Sequence, residues 1–405
     1  MGNWRNLLVA QAGGATAVIN SSLVGVVEAA LESGRFRAVI GARRGIEGVL
    51  RQDFVDLGAQ PRELLRQVAR TPSAALGATR LRLSSETTQL ALEILARYEV
   101  GAFIYIGGND SAETALRLAS AARRANHPLQ VIVVPKTIDN DLPATDHCPG
   151  YGSIARFLAL ATRDAGLDTE ATAGLYPVKL IEVMGRNAGW VAASTALAQV
   201  TSEDAPHLIF FPERPPASLD AFLEEIAAAY DRFGRVVAVV PETLRDVQGR
   251  PLGGEQAQWI DPFGHPYYPG PAPALAQAIE RRLRLRARYD KPGTIARMFM
   301  SCVSPVDWQE AYDAGRTAVA LLGEGASEVM VSLERISDDP YQVRFGTVPL
   351  TAVANRERAL PDEFIGPDGR SVTEDFRRYA VPLIGGPLPP YARLADLPYR
   401  PQNTT

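Results

Sequence analysis

The sequence predicts an α/β protein made of doubly wound parallel sheets. Short apolar runs alternate with longer helical patterns through the first third, and the alternation resumes after about Asp146. Three of the first four apolar runs end in glycine pairs or in charge. In sheets of this kind ligands gather at the carboxyl ends of the strands.

The elements follow in order. LLVAQ (7–11) predicts a strand and GGATAVINSSLVGVVEAALES (13–33) the turn and helix after it. RAVIGAR (37–43) predicts a strand leading to a Gly-rich turn, GAFIYIGG (101–108) a strand before the helix DSAETALRLASAARRA, and VIVVP (131–135) a fourth strand. Strand then helix, repeated, means parallel strands joined by right-handed crossovers. LIEVMGRNAGWVAASTALA (180–198) repeats the strand, turn and helix pattern, and HLIFFPE (207–213), VVAVVPE (236–242) and EVMVSLE (328–334) predict further strands of a second α/β domain. The Pro/Gly-rich stretch 245–273 predicts a hairpin or lid. The expected division is 1–145 with about 291–327 as one domain and 146–290 with about 328–350 as the second. Residues 351–405 are expected as a proline-rich extension packing on the surface.

Composition narrows the function. The 405 residues are 46% hydrophobic and 22% charged, which is globular, and the net charge of −4 offers no basic field for nucleic acid or anionic lipid. Cys148 and Cys302 lack the spacing of a disulfide framework or a zinc cluster, and His127, His147, His207 and His265 show no i, i+4 pair. No run of about 18 apolar residues occurs, so neither a membrane nor a nucleic-acid partner is expected and the cytoplasm is the expected compartment.

Three strand ends carry chemistry. Gly13-Gly14 let a backbone approach a ligand, and the amides of the following helix predict an anion site. Gly107-Gly108-Asn109-Asp110-Ser111 also follows a strand and opens a helix; Asp110 beside a phosphate cradle calls for an interposed cation, for which Mg²⁺ serves. The third strand delivers Lys136, Asp139 and Asp141. Only three of the 42 basic residues are lysines (Lys136, Lys179 and Lys291), so Lys136 inside a tight motif marks a site wanting a compact point charge. Asp139 and Asp141, in an expected extended segment, point to one side and divide the work of general base and cation or water holder. Phosphoryl transfer is the chemistry these residues favour.

With GGNDS, PKTIDND and MGRNAGW (184–190) on the page, the chain resembles the phosphofructokinase family, in its pyrophosphate-dependent branch. Pro241-Glu242 at a strand end and a late GxxxR at Gly293 to Arg297 strengthen the resemblance, which spans roughly residues 5 to 335. It implies two Rossmann-like three-layer α/β domains with the active site in the cleft between them. It also implies that Asp139 is the base toward a sugar 1-hydroxyl, with Thr137 and Asp141 positioning the hydroxyl and the metal. Met184, Gly185 and Arg186 would hold the sugar phosphate, Glu242 a sugar hydroxyl and Arg297 the 6-phosphate. On the donor side Gly13, Gly14, Arg80, Gly108 and Lys136 would surround the phosphates, and DPFGH (261–265) would lie near the sugar.

Donor choice follows from two positions. ATP-using relatives have GGDGS and a small residue where this chain has Asp110 and Lys136; the carboxylate fills and repels the space of a nucleotide while the lysine compensates pyrophosphate. Asn109 departs from the family aspartate and moves the expected Mg²⁺ contacts to Asp110 and Asp141. Tyr176-Pro177-Val178-Lys179 lacks an arginine that many relatives lend across a subunit interface, leaving Lys179 or Arg288 as replacements, and Thr294 stands where nucleotide-using members have histidine. The implied activity is reversible Mg²⁺-dependent transfer from pyrophosphate to fructose 6-phosphate by a homodimer or homotetramer. The alternatives are another acceptor such as sedoheptulose 7-phosphate, ATP as donor, or a non-catalytic regulatory subunit.

Overall fold

The structure, a computed structural model, describes residues 6–253, 259–260, 266–267, 270–395 and 397–398. Its strands are β1 (Asn6–Gln11), β2 (Val39–Ala42), β3 (Phe54–Asp56), β4 (Val100–Gly107), β5 (Gln130–Pro135), β6 (Val178–Val183), β7 (Leu208–Ile209), β8 (Val236–Pro241), β9 (Trp259–Ile260), β10 (Pro266–Tyr267), β11 (Ala287–Asp290), β12 (Val329–Asp338) and β13 (Tyr341–Pro349). The helices are α1 (Ile19–Ser33), α2 (Gly45–Arg51), α3 (Arg62–Ala69), α4 (Ser85–Arg97), α5 (Asn109–Arg124), α6 (Tyr151–Ala171), α7 (Trp190–Ser194), α8 (Leu219–Phe233), α9 (Ala272–Leu283), α10 (Pro305–Gly323), α11 (Leu350–Val353) and α12 (Glu374–Ala380).

Seven strands form one sheet in the order β13-β12-β5-β4-β1-β2-β3, parallel except for its two edge strands. Alternation along β1 explains its three layers. Leu7 and Val9 pack with α1 and α10, while Leu8 and Ala10 pack with α2, α4 and α5 on the other face. A strand buried on both faces reads as a continuous apolar run, which is why this sheet is visible in the sequence. The second sheet, β11-β6-β8-β7, is all parallel. Ile181, Val183, Val237 and Val239 face α6 and α7, and Val178, Leu180, Val236 and Ala238 face α8 and α9. The α/β architecture is the expected one.

Three expectations need correction. The run 328–334 does not join the second unit: Val329 and Met330 pair with Ile132 and Val133, at the edge of the first sheet. Helix α10 packs along α1 and delivers the chain to that edge, and either sheet would have accepted so apolar a strand. The run 207–213 yields a two-residue strand, because the chain turns at Phe211 to bridge with Arg214. The segment after 350 is not a surface extension. Leu350 and Val353 complete the first core, and Phe376, Ala380, Leu383 and Ile384 are at most 3% exposed within the second. Residues 387–395 are the surface strap.

The stretch 245–273 holds the antiparallel pair β9–β10, a short hairpin. DPFGH (261–265) lies outside the described residues. Among the described residues no helix is long and apolar enough to cross a membrane.

Candidate active site

The loop after β5 organises the site. Thr137 bridges to Gly150, closing residues 137–150 on themselves. The Thr137 hydroxyl donates to Asp141 Oδ1 at 3.0 Å and accepts the Asp139 amide at 3.1 Å. Asn140 between them has φ 54°, so the segment is a turn, not the extended stretch expected. The two carboxylates come together through that turn and the Thr137 hydroxyl, not through strand alternation. Burial, then Asp141 and Glu242, push the Asp139 carboxyl up to about 7, against the pull of Arg186 and Lys136. Asp141 is also raised, mainly by burial.

Lys136, 4% exposed, stands at the mouth of β5. Its amide donates to Gly107 O at 3.0 Å, tying it to the end of β4. Burial and the nearby Arg297 guanidinium push its ammonium down to about 8, against Asp139 and Asp141. Gly13 has φ +75° and a Cβ there would lie 2.9 Å from Lys136 Nζ; one on Gly14 would lie 2.6 Å from Arg297 Nη1. The two glycines are therefore what lets both cations reach the β1 loop. Arg297 thus lies beside Lys136 over the Gly13-Gly14 turn. Arg80 bears on Lys136 as well.

The anion site at the helix amides is not as expected. Helix α1 begins at Ile19, and the Thr16 hydroxyl already accepts the amides of Val18 and Ile19 at 3.3 and 2.9 Å. What stands over the glycine loop is a pair of side-chain cations, Lys136 and Arg297. Gly108 caps α5, and Asp110 lies exposed in its first turn, paired with Arg82 at 3.0 Å.

The carboxyl ends of the second sheet supply the opposite wall. Met184, Gly185 and Arg186 follow β6, and Gly185 has φ 109°, which turns the chain sharply there. Arg186 Nε lies 3.6 Å from Glu242 Oε1, at the end of β8, and the Thr243 hydroxyl donates to Arg186 O at 2.6 Å. Burial raises the Glu242 carboxyl, with Arg186 opposing. The buried Glu182 on β6 pairs with Lys291 at 2.6 Å. Because Glu242 and Arg186 both act on Asp139, the two sheets present their carboxyl ends to one cleft.

Lys179 and Arg288 stand away from this chain's own cleft. Both lie at the opposite end of their strands: Lys179 is held by Asp168 and Asp290 at 2.8 and 3.1 Å, and Arg288 stacks 3.5 Å from the Tyr176 ring centroid. A cavity of about 550 Å³ between α4, α5 and α11 contains none of the site residues.

Among the described residues no three His, Cys, Asp or Glu side chains cluster for a metal ion. Mg²⁺ nevertheless fits, since it is commonly held by one or two carboxylates with the remaining positions filled by phosphate oxygens and water. Asp141, raised mainly by burial and bonded to the Thr137 hydroxyl, offers such a carboxylate, and Asp110 is engaged by Arg82.

Sequence reasoning missed Thr243, Arg358 and Tyr379. Arg358 and Tyr379, from the segment after 350, bond to the loop carrying Asp139. No motif signals them, since their contacts run largely to backbone carbonyls.

Comparison with known proteins agrees with this geometry. The phosphofructokinase family model matches residues 6–322. A Xanthomonas campestris protein called pyrophosphate–fructose 6-phosphate 1-phosphotransferase is 39% identical over 390 residues, covering 95% of this chain and 92% of that protein. A Rhodospirillum rubrum protein of the same name is 39% identical over 399 residues, covering 96% of each. The crystal structure of a pyrophosphate-dependent phosphofructokinase from Nitrosospira multiformis superposes with a TM-score of 0.86 at 34% identity, covering 99% of both chains. With its two parallel sheets opening on one cleft, the chain belongs to the phosphofructokinase family.

Proposed function

We propose that this protein is a Mg²⁺-dependent phosphotransferase that moves a phosphoryl group reversibly between pyrophosphate and the 1-hydroxyl of fructose 6-phosphate. The observation that carries the reading is the cluster at the β5 mouth: Asp139 raised to about 7 beside an almost fully buried Lys136. A base poised near neutrality takes the hydroxyl proton as the oxygen attacks phosphorus, the bond to the leaving phosphate breaks, and phosphate departs. Lys136 and Arg297 face the charge on the transferring oxygens, with Arg80, Gly13, Gly14 and Gly108 around the donor. Arg186, Met184 and Gly185 hold the sugar phosphate, and Glu242 a sugar hydroxyl.

Mg²⁺, when bound, neutralises donor charge; Asp141, oriented by Thr137, is the carboxylate placed to hold it, with Asp110 available once Arg82 releases it. The paired Asp110 and Arg82 side chains occupy space at the donor end and Lys136 favours a compact anion, which supports pyrophosphate over ATP. The division into a donor half and an acceptor half follows the two sheets. A homodimer or homotetramer in the cytoplasm completes the reading, and light scattering on the purified protein decides the oligomer.

The test is a coupled assay with fructose 6-phosphate and Mg²⁺, comparing pyrophosphate with ATP. Turnover with pyrophosphate and little with ATP is expected. Turnover with ATP alone overturns the donor assignment, and a preference for sedoheptulose 7-phosphate in kcat/KM overturns the acceptor.

A further inference from the structure

We propose that Arg358 is a positioning residue that holds the loop carrying Asp139 and Asp141 against the loop carrying Met184 to Arg186. It rests on the phosphotransferase reading for what those carboxylates do, but not for how they are held.

The loop does not hold itself. Asn140 and Ala144 both adopt positive φ, 54° and 60°, a conformation that costs a residue with a Cβ about 1–2 kcal/mol. A segment so folded persists when its surroundings over-determine it. Leu333 and Arg335 of β12 bind its far end, at Thr145 and Asp146, and Arg358 spans both ends. Its amide donates to Asp141 O at 2.7 Å; Nη1 donates to Thr145 O and Asp146 O, both at 2.8 Å; Nη2 donates to Asn140 O at 2.9 Å. One residue therefore binds four carbonyls of a seven-residue turn.

The other face of the guanidinium fixes the second wall. Its carbon lies 4.5 Å from the ring centroid of Trp190, and Trp190 Nε1 donates to Arg358 O at 3.2 Å. Trp190 is 1% exposed and opens α7 directly after the Met184–Gly189 turn. Arg358 thus touches the base loop through its nitrogens and the root of the acceptor loop through its plane. A lysine presents a single ammonium and no plane, so it cannot reproduce this grip.

Tyr379 makes an independent contact of the same kind. Its hydroxyl accepts from Asn140 Nδ2 at 2.8 Å and donates to Asp146 O at 2.9 Å. Asn140 Oδ1 in turn accepts the Cys148 amide at 2.9 Å. The segment after β13 is therefore the frame that aims Asp139, although none of its residues named here is a donor to the reacting groups. Reacting groups must be held within about 0.5 Å of their productive geometry, and slack of about 1 Å costs about 10²-fold in rate.

The experiment compares the full-length wild type with Arg358→Ala, Arg358→Lys and Tyr379→Phe by hydrogen exchange and by steady-state kinetics with pyrophosphate and fructose 6-phosphate. Arg358→Ala is expected to speed exchange over residues 137–146 while distant strands such as β1 and β4 keep their protection. Its kcat is expected to fall about 10²-fold while the KM for fructose 6-phosphate changes by less than about threefold. Arg358→Lys recovers a minor part, non-denaturing guanidinium restores part of the Ala variant and none of the wild type, and Tyr379→Phe shows a smaller loss in the same direction.

Unchanged exchange over 137–146 in Arg358→Ala overturns the proposal. So does a general loss of protection with kcat and KM failing together and no guanidinium rescue, which marks a merely structural residue; Tyr379→Phe, the gentler change, then has to show no local loosening. If the wild type itself transfers nothing from pyrophosphate, the functional reading fails, and the exchange comparison still decides whether Arg358 holds the loop.

Discussion

Replacing Asp139 with Asn tests the site through stability as well as turnover. In the folded chain the Asp139 carboxyl is raised from 3.8 to about 7, so it keeps a proton that the unfolded chain has released. Folded stability therefore falls as pH rises between those values and stays lower above them. At about 1.4 kcal/mol per pH unit that interval sets a ceiling of about 4 kcal/mol. Two effects lower it: water in the cleft screens a half-buried carboxylate, and Lys136 loses one of its two carboxylate neighbours in the variant. The expected gain for Asp139→Asn near pH 8 is about 1–2 kcal/mol, with turnover reduced by at least about 10²-fold. Urea unfolding of both proteins without Mg²⁺ or substrates, from about pH 5 to about pH 8, reads the difference, since other titrating groups such as His147 and Asp307 are common to both. The variant's advantage should widen with pH and level off past about 7. A pH-independent difference, or a wild type that is the more stable near pH 8, refutes the assignment of Asp139 as a carboxylate strained by its surroundings.

Three further outcomes follow from the same geometry. The pH profile of kcat/KM should rise through about 7 as Asp139 releases its proton and fall above about 8 as Lys136 loses its charge; a profile flat on the alkaline side counts against Lys136. Gly13→Ala places a Cβ 2.9 Å from Lys136 Nζ at φ +75°, so it should cost about 1–2 kcal/mol of stability and raise the KM for pyrophosphate about tenfold, read by melting and by kinetics. Asp110→Gly combined with Lys136→Gly should admit ATP as a donor in the coupled assay, and a silent double variant would reject the steric and electrostatic account of donor choice.

The parts of the fold that were legible are those where one strand's burial suffices to mark it. β1, β4, β5 and β8 are apolar on both faces and stand out as continuous runs. The sheet that β12 joins was not legible, because its partner is set by α10 packing on α1, a helix far away in the chain. The segment after 350 misled through its prolines, while its buried residues are spaced by loops and carry no period.

At the site, chemistry was legible and geometry was not. Lys136, Asp139 and Asp141 announce themselves by residue type, yet the left-handed Asn140 that brings the carboxylates together has no mark in a sequence of polar residues. The approach of Arg297 to the Gly14 turn likewise has no mark, since it depends on a side chain missing from another loop. Lys179 stands five residues before Met184, but a parallel strand intervenes and sends the two to opposite ends of the sheet.

The most direct test is a crystal structure of the protein with methylenediphosphonate, Mg²⁺ and fructose 6-phosphate. The account predicts the diphosphonate over the Gly13-Gly14 turn in contact with Lys136, and the Asp139 carboxylate within hydrogen-bond distance of the sugar 1-hydroxyl. A diphosphonate bound away from Lys136, or Asp139 turned from that hydroxyl, would contradict it.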